Sequence, residues 1–193
     1  MIKNVTVYCS SSNTLPQKYY EETRKIGKLL ADGNITIIYG GGSSGLMGTL
    51  ADSSLENGGY VKGVIPGFMK EVEWDHKGVQ EMIETEDMAE RKKILIEGTD
   101  AIIALPGGVG TFEELFEVLS AKRLGLISQQ IIIYNFDGFY NPIIETLNRC
   151  IDENFMGKQH RDIWSEVTQV DQLIPAINNA PKWDSYSIKN AKT

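Results

Sequence analysis

The chain has 193 residues, 41% hydrophobic and 23% charged, the profile of an ordinary globular protein long enough to bury a three-layer core. Its net charge is −7, with acids and bases mixed rather than blocked, which argues against a nucleic-acid or anionic-membrane partner because both need a basic face. No segment reads as a bilayer span, and no low-complexity tract or internal repeat is present.

Along the chain, short β-branched runs alternate with longer helical patterns. "NVTVYCS" reads as a first strand, followed by an amphipathic helix over about Gln17 to Ala31. "NITIIYG" reads as a second strand, with a helix from about Gly45 to Glu56, and "YVKGVIP" as a third. "GFMKEVEWDHKG" is polar and irregular and reads as a lid or active-site loop. "VQEMIET" is a short fourth strand, and Asp87 to Glu97 a helix. "DAIIALPGG" is a fifth strand, with its helix over Thr111 to Leu124. "QQIIIYNF" is a sixth, followed by a helix from Asn141 to about Glu153. "VTQVDQLIPAINN" holds a weak last strand and a helix beginning near Pro175. One domain over 1–180 is expected, with an aperiodic tail, 181–193, that frays.

Strands buried on both faces and alternating with helices imply a central parallel sheet with helices on both faces. Ligands of such sheets bind at the carboxyl ends of the strands. The loops there are "CSSSN", "YGGGSSG", "IPGF" and "LPGGVGT", three of them rich in glycine or serine. Two cysteines, Cys9 and Cys150, and two histidines, His76 and His160, give neither a disulfide framework nor a zinc spacing, so no metal is expected. The N-terminal apolar run is too short for a signal peptide, and a cytoplasmic setting is the expectation.

Three motifs carry chemistry. Gly40-x-Gly42-x-x-Gly45 has the spacing of a dinucleotide fingerprint, but no acid stands at the end of the next strand to hold a ribose. A tight turn with close helix–strand packing explains it better, and the run lacks a P-loop lysine. In "LPGGVGT" the glycines let backbone N–H groups face an anion at a helix N-terminus. Thr111-x-x-Glu114 also has the spacing of a capping box, so Glu114 is open to a capping or a catalytic role. Spacing alone does not choose between Glu113 and Glu114. In "EDMAERKKIL", Met88, Arg91, Lys92 and Leu95 share one helical face. That pattern fits cations turned toward an anion, or stems packed along the surface with their charges in water. His76 and Trp74 read as surface loop residues and Asp137 as a turn residue.

Taken together, "YGGGSSGLMG", "VIP", "MAERKK" and "LPGGVGTFEE" resemble the Lonely Guy family of nucleotide phosphoribohydrolases, from about Val5 to Phe155. The resemblance implies a Rossmann-like fold, a homodimer and no organic cofactor. It also implies hydrolysis of the N-glycosidic bond of adenosine-type 5′-monophosphates, including cytokinin riboside monophosphates, to free base and ribose 5-phosphate. It places the catalytic arginine and glutamate on Arg91 and Glu114. The phosphate loop falls on Gly107, Gly108, Val109, Gly110 and Thr111, with Lys92 beside the arginine; Met88, Ser11, Gly41 and Gly42 join the substrate-binding set. The chain departs from the family pattern at Ser10, Ala89 and Val109, and at Ser120-Ala121-Lys122-Arg123. Two other readings stand beside this one. The first is a nucleotide or molybdenum-cofactor carrier of related fold. The second is the family's older lysine decarboxylase label, which lacks an assignable Schiff-base lysine and a partner for the ring nitrogen.

Overall fold

A computed structural model of the protein describes residues 2–73 and 75–183. Trp74 and residues 184–193 of the expected tail lie outside the described residues. The chain forms two compact units, Met1–Ile102 and Ile103–Thr193.

The first unit holds β1 (Asn4–Tyr8), α1 (Gln17–Asp32), β2 (Thr36–Tyr39), α2 (Gly45–Glu56), β3 (Val61–Pro66), α3 (Gly67–Glu73), β4 (Glu81–Thr85) and α4 (Met88–Ile96). Its strands neighbour one another in the order β4-β3-β2-β1. All pair in parallel: Val7 lies opposite Tyr39, Tyr39 opposite Gly63, and Pro66 opposite Thr85. Val5, Val7, Ile37, Val61, Val64 and Ile65 are buried, as β-branched residues are on a sheet covered by helices. Helices α1 and α2 pack closely because residue 27 has no side chain. A Cβ there would lie 2.8 Å from the Leu50 carbonyl oxygen and 2.9 Å from Ser53 Cβ. On β1, Thr6 points opposite to Val5 and Val7, and its hydroxyl donates to the Leu95 carbonyl, so α4 covers that face.

The second unit continues β5 (Ala101–Ala104), which crosses the boundary, and adds α5 (Val109–Arg123), β6 (Gln130–Tyr134), α6 (Asn141–Asp152), β7 (Trp164–Val167) and α7 (Leu173–Asn179). Here the strand order is β5-β6-β7, and β6 pairs with β7 in parallel from Ile131–Trp164 to Tyr134–Val167. Asp137 sits in a tight turn at φ 54°, the conformation that asparagine and aspartate tolerate best.

Three expectations are corrected. The segment read as irregular begins with a helix, α3, which the ion pair from Lys70 to Glu84 (2.6 Å) ties to the end of β4. Seven residues are too few to show a helical period, so tertiary contact rather than pattern makes this helix. The last strand begins at Trp164, ahead of the "VTQV" run, because pairing with β6 selects it. Finally, α5 starts at Val109, two residues before Thr111. Of the expected tail, Trp183 is held, its indole N–H donating to the Lys122 carbonyl at 2.6 Å.

Lys122 itself is fully buried on α5, its ammonium 3.4 Å from Gln130 Oε1. Burial lowers its pKa from 10.5 to about 8, against the opposing pull of Asp162. A lysine whose folded pKa lies below its unfolded value weakens the fold at every pH below about 8, and the penalty fades between 8 and 10.5. Lys122→Met, of similar volume, is therefore expected to stabilise the protein by on the order of 2 kcal/mol at pH 7. Thermal unfolding of both proteins at pH 7 and near pH 10 checks this: the gain in Tm should shrink at the higher pH.

Candidate active site

The arginine helix is set by its own start. Asp87 caps α4 by accepting from the Glu90 N–H at 2.8 Å, and Glu90 reaches back to the Glu86 N–H at 2.8 Å. Asp87 thus fills the N-cap role, while the Glu90 carboxylate holds the residue before the cap rather than closing a capping box on Asp87 itself. This start turns Met88, Arg91, Lys92 and Leu95 inward and leaves Ala89, Glu90 and Lys93 exposed.

Arg91 does not lay its stem on the surface with its charge in water. Only 5% of it is exposed. Its Nε donates to the Val64 carbonyl at 3.2 Å and its Nη2 to the Gly40 carbonyl at 3.3 Å. Its Nη1 lies 3.8 Å from Met88 Sδ and 4.0 Å from Met69 Sδ. A buried guanidinium is tolerable only with oxygen acceptors, and Val64 within β3 and Gly40 just past β2 supply them. Lys92 is half-buried beside it.

Close packing fixes Gly40 and Gly45 of "YGGGSSG". A Cβ on Gly40 would lie 2.6 Å from Arg91 Nη2. One on Gly45 would lie 2.5 Å from the carbonyl carbon of Ser11. Gly41 takes φ 84°, which favours glycine. The close approaches at Gly40 and Gly45 are made here by the protein itself, as a tight turn with close packing requires. Gly41 and Gly42 are buried, and Ser11 is exposed on the loop packed against the start of α2.

In the second unit, the strand end before the glycine loop is pinned from below. Tyr140, fully buried, donates from its hydroxyl to the Leu105 carbonyl at 2.7 Å. Asn135 fixes Tyr140 by accepting from its N–H at 2.7 Å, and donates to Asn141 and Glu166. The Phe112 ring packs edge-on to Tyr140, with centroids 6.1 Å apart. Helix α5 then starts at Val109 with Gly108 as its cap and no side-chain capping bond, the Phe112 N–H bonding to the Gly108 carbonyl at 3.0 Å. Thr111 thus lies inside the helix, and the capping-box role for Glu114 is removed. Thr111 packs over Gly107, where a Cβ would meet its Oγ1 at 2.1 Å.

Gly108, Val109 and Gly110 are exposed, and a Cβ on either glycine would meet nothing within 4 Å. The N-terminal turn of a 15-residue helix therefore presents its N–H groups on an open face. The two glutamates separate by exposure: Glu113 is exposed, while Glu114 is half-buried.

The structure thus gathers Met88, Arg91, Lys92 and the glycine loop in the first unit, and Gly107–Thr111 with Glu114 in the second. Sequence reading missed Met69, Tyr140 and His76. The first two carry no motif; His76, read as a surface residue, is nearly enclosed, with 11% of its side chain exposed. Among the described residues no cluster of three or more metal-ligating side chains occurs, and no helix is long and apolar enough to cross a membrane.

Comparison with known proteins places these motifs. The family described as possible lysine decarboxylase matches residues 47–177. The cytokinin riboside 5′-monophosphate phosphoribohydrolase of Rhodococcoides fascians is 37% identical over 178 residues, covering 92% of this chain and 90% of that protein. The Arabidopsis thaliana phosphoribohydrolase LOG2 is 33% identical over 188 residues, covering 97% and 88%. Among solved structures, the molybdenum cofactor carrier protein of Chlamydomonas reinhardtii superposes with a TM-score of 0.70 at 19% identity, covering 93% of this chain and 98% of that one. The molybdenum cofactor binding protein of Rippkaea orientalis gives 0.65 at 16% identity, covering 92% and 96%. The carriers share the fold alone. The α/β, Rossmann-like fold expected from the sequence is the one observed, and the chain belongs to the cytokinin riboside 5′-monophosphate phosphoribohydrolase, or Lonely Guy, family.

Proposed function

We propose that this protein hydrolyses the N-glycosidic bond of adenosine-type nucleoside 5′-monophosphates, AMP or its N6-prenylated forms, to free base and ribose 5-phosphate. The observation that carries this reading is the 37% identity, over 92% of the chain, to a protein named for that reaction. Two structural facts support it. Thr111 is not the cap of α5, so Thr111 and Glu114 do not form its capping box, and the charge of Arg91 is held in the interior.

In this mechanism the exposed N-terminal turn of α5 takes the 5′-phosphate on its main-chain N–H groups, with the Thr111 hydroxyl beside them. Anchoring the remote phosphate fixes the ribose, so binding energy is spent on orienting the anomeric carbon. As the C–N bond breaks, positive charge grows on the ring oxygen and anomeric carbon. The Glu114 carboxylate stabilises that charge, or activates the water that adds there. Arg91 stabilises the electron pair that leaves with the base, and water supplies the hydroxyl of the sugar product and the proton of the base. Met88, Lys92, Ser11, Gly41 and Gly42 complete the binding set. No organic cofactor or metal enters this scheme.

Lys122 does not revive a decarboxylase. A lysine with its pKa lowered to about 8 is a competent nucleophile, but this one has no exposed surface that a carbonyl compound can reach.

We also assign a homodimer and a cytoplasmic setting. Exposed Val109 and Phe116, seven residues apart on one side of α5, and exposed Leu126 support an apolar contact with a second copy. Only two cysteines, Cys9 and Cys150, occur in 193 residues, a usage that fits a reducing compartment.

Incubation with AMP and with isopentenyladenosine monophosphate, each beside its dephosphorylated nucleoside, tests the reaction. Free base and ribose 5-phosphate are expected from the monophosphates only. Binding without release would instead favour a carrier. Glu114→Gln is expected to lower kcat by at least about a thousandfold while phosphate-dependent binding survives, and a wild-type rate would remove Glu114 from the chemistry. Light scattering is expected to give twice the chain mass, and Phe116→Glu to give one chain mass; a monomeric wild type at assay concentration overturns the dimer.

A further inference from the structure

His76 follows α3 and grips the glycine loop between β2 and α2. Its main-chain N–H donates to the Gly41 carbonyl at 3.0 Å. The preceding residue, Asp75, forms an antiparallel bridge with Gly42. The His76 side chain reaches past the loop to α2, where Nε2 lies 3.0 Å from Asp52 Oδ1. Nδ1 accepts from the Gly78 N–H at 3.1 Å. An acceptor nitrogen carries no proton, so the neutral ring holds its proton on Nε2 and donates it to Asp52. Both nitrogens are in use, and they fix one tautomer and one ring orientation.

The main chain of His76 therefore holds the loop near its start, and its side chain holds the helix that the loop leads into. The loop needs this. Three consecutive glycines do not define a conformation, and Gly41 sits at φ 84°, one of many values open to it. The carbonyl of Gly40, immediately before, is the acceptor for Arg91 Nη2. Helix α3, which ends shortly before His76, carries Met69, whose Sδ lies 4.0 Å from Arg91 Nη1. Two of the groups that surround the guanidinium thus ride on segments that His76 fastens together.

We propose that His76 is a positioning residue for Arg91, setting the guanidinium through the Gly40–Gly42 loop and α3. The proposal rests on the role given to Arg91 above. It is tested by kcat and KM for AMP hydrolysis in the wild type, His76→Ala, His76→Gln, Arg91→Ala, Arg91→Lys and the His76→Ala/Arg91→Lys double variant, with each fold checked by circular dichroism.

His76→Ala is expected to lower kcat ten- to a hundredfold, as a misplacement of about 1 Å does, with KM moving by less than about threefold. His76→Gln, whose amide N–H can still reach Asp52, should recover part of that loss. In the Arg91→Lys background, His76→Ala should add little, because the residue it positions is already altered. Wild-type kcat in His76→Ala beside an inactive Arg91→Ala overturns the proposal alone, as do losses that simply multiply in the double variant. Wild-type kcat in Arg91→Ala removes the role of Arg91, and the proposal with it. Should His76→Ala not fold, His76→Gln and Asp52→Asn replace it: a fall in kcat that vanishes in the Arg91→Lys background supports the proposal, and an unchanged kcat overturns it.

Discussion

A guanidinium buried against main-chain carbonyls organises the first unit. Arg91 must find oxygen acceptors in the interior, and it finds them at Gly40 and Val64. The parallel register makes this possible. Tyr39 lies opposite Gly63, so the residues that follow them, Gly40 just past β2 and Val64 within β3, come level with each other. Residue 40 can then have no side chain, and the chain must bend sharply at Gly41. The helix that carries Arg91 is capped at Asp87 so that this face turns inward.

The second unit meets a different requirement with the same economy of parts. Its glycine loop must stay open while the strand before it stays fixed. Tyr140 and Asn135 hold the strand end from beneath, and the Phe112 ring seats α5 against Tyr140. Rigidity comes from side chains below the loop, so none is needed above it. Gly108 caps the helix without a side chain, and a Cβ there would meet nothing within 4 Å. A conventional cap there would occupy the helix's first N–H groups.

Strands and long helices were legible because burial on a sheet and a helical face each impose a period on the sequence. Helix α2 matched its expected bounds, Gly45 to Glu56, since a glycine turn precedes it and a polar run ends it. The paired cations of α4 were legible as a face, but not the depth at which each would sit. For Glu114 the spacing left a capping box and a catalytic role both open. Thr111 and Glu114 have the right spacing, yet α5 begins at Val109, ahead of Thr111, and the capping carboxylate that the fold uses is Asp87 on α4. Helix α3 and His76 gave no signal. Their order comes from Lys70–Glu84 and His76–Asp52, contacts with distant residues that have no period.

What the sequence determined by itself is the alternation of strands and helices, the glycine-rich strand ends, and the motifs that mark the family. These are local patterns, set by backbone preference and by which side of an element must be apolar. Tertiary structure alone decided that Arg91 is interior, that α5 begins ahead of Thr111, and that His76 clasps the glycine loop. Each depends on which carbonyl, side chain or helix end stands within hydrogen-bonding reach, and residues far apart in sequence make that choice only when the chain has folded.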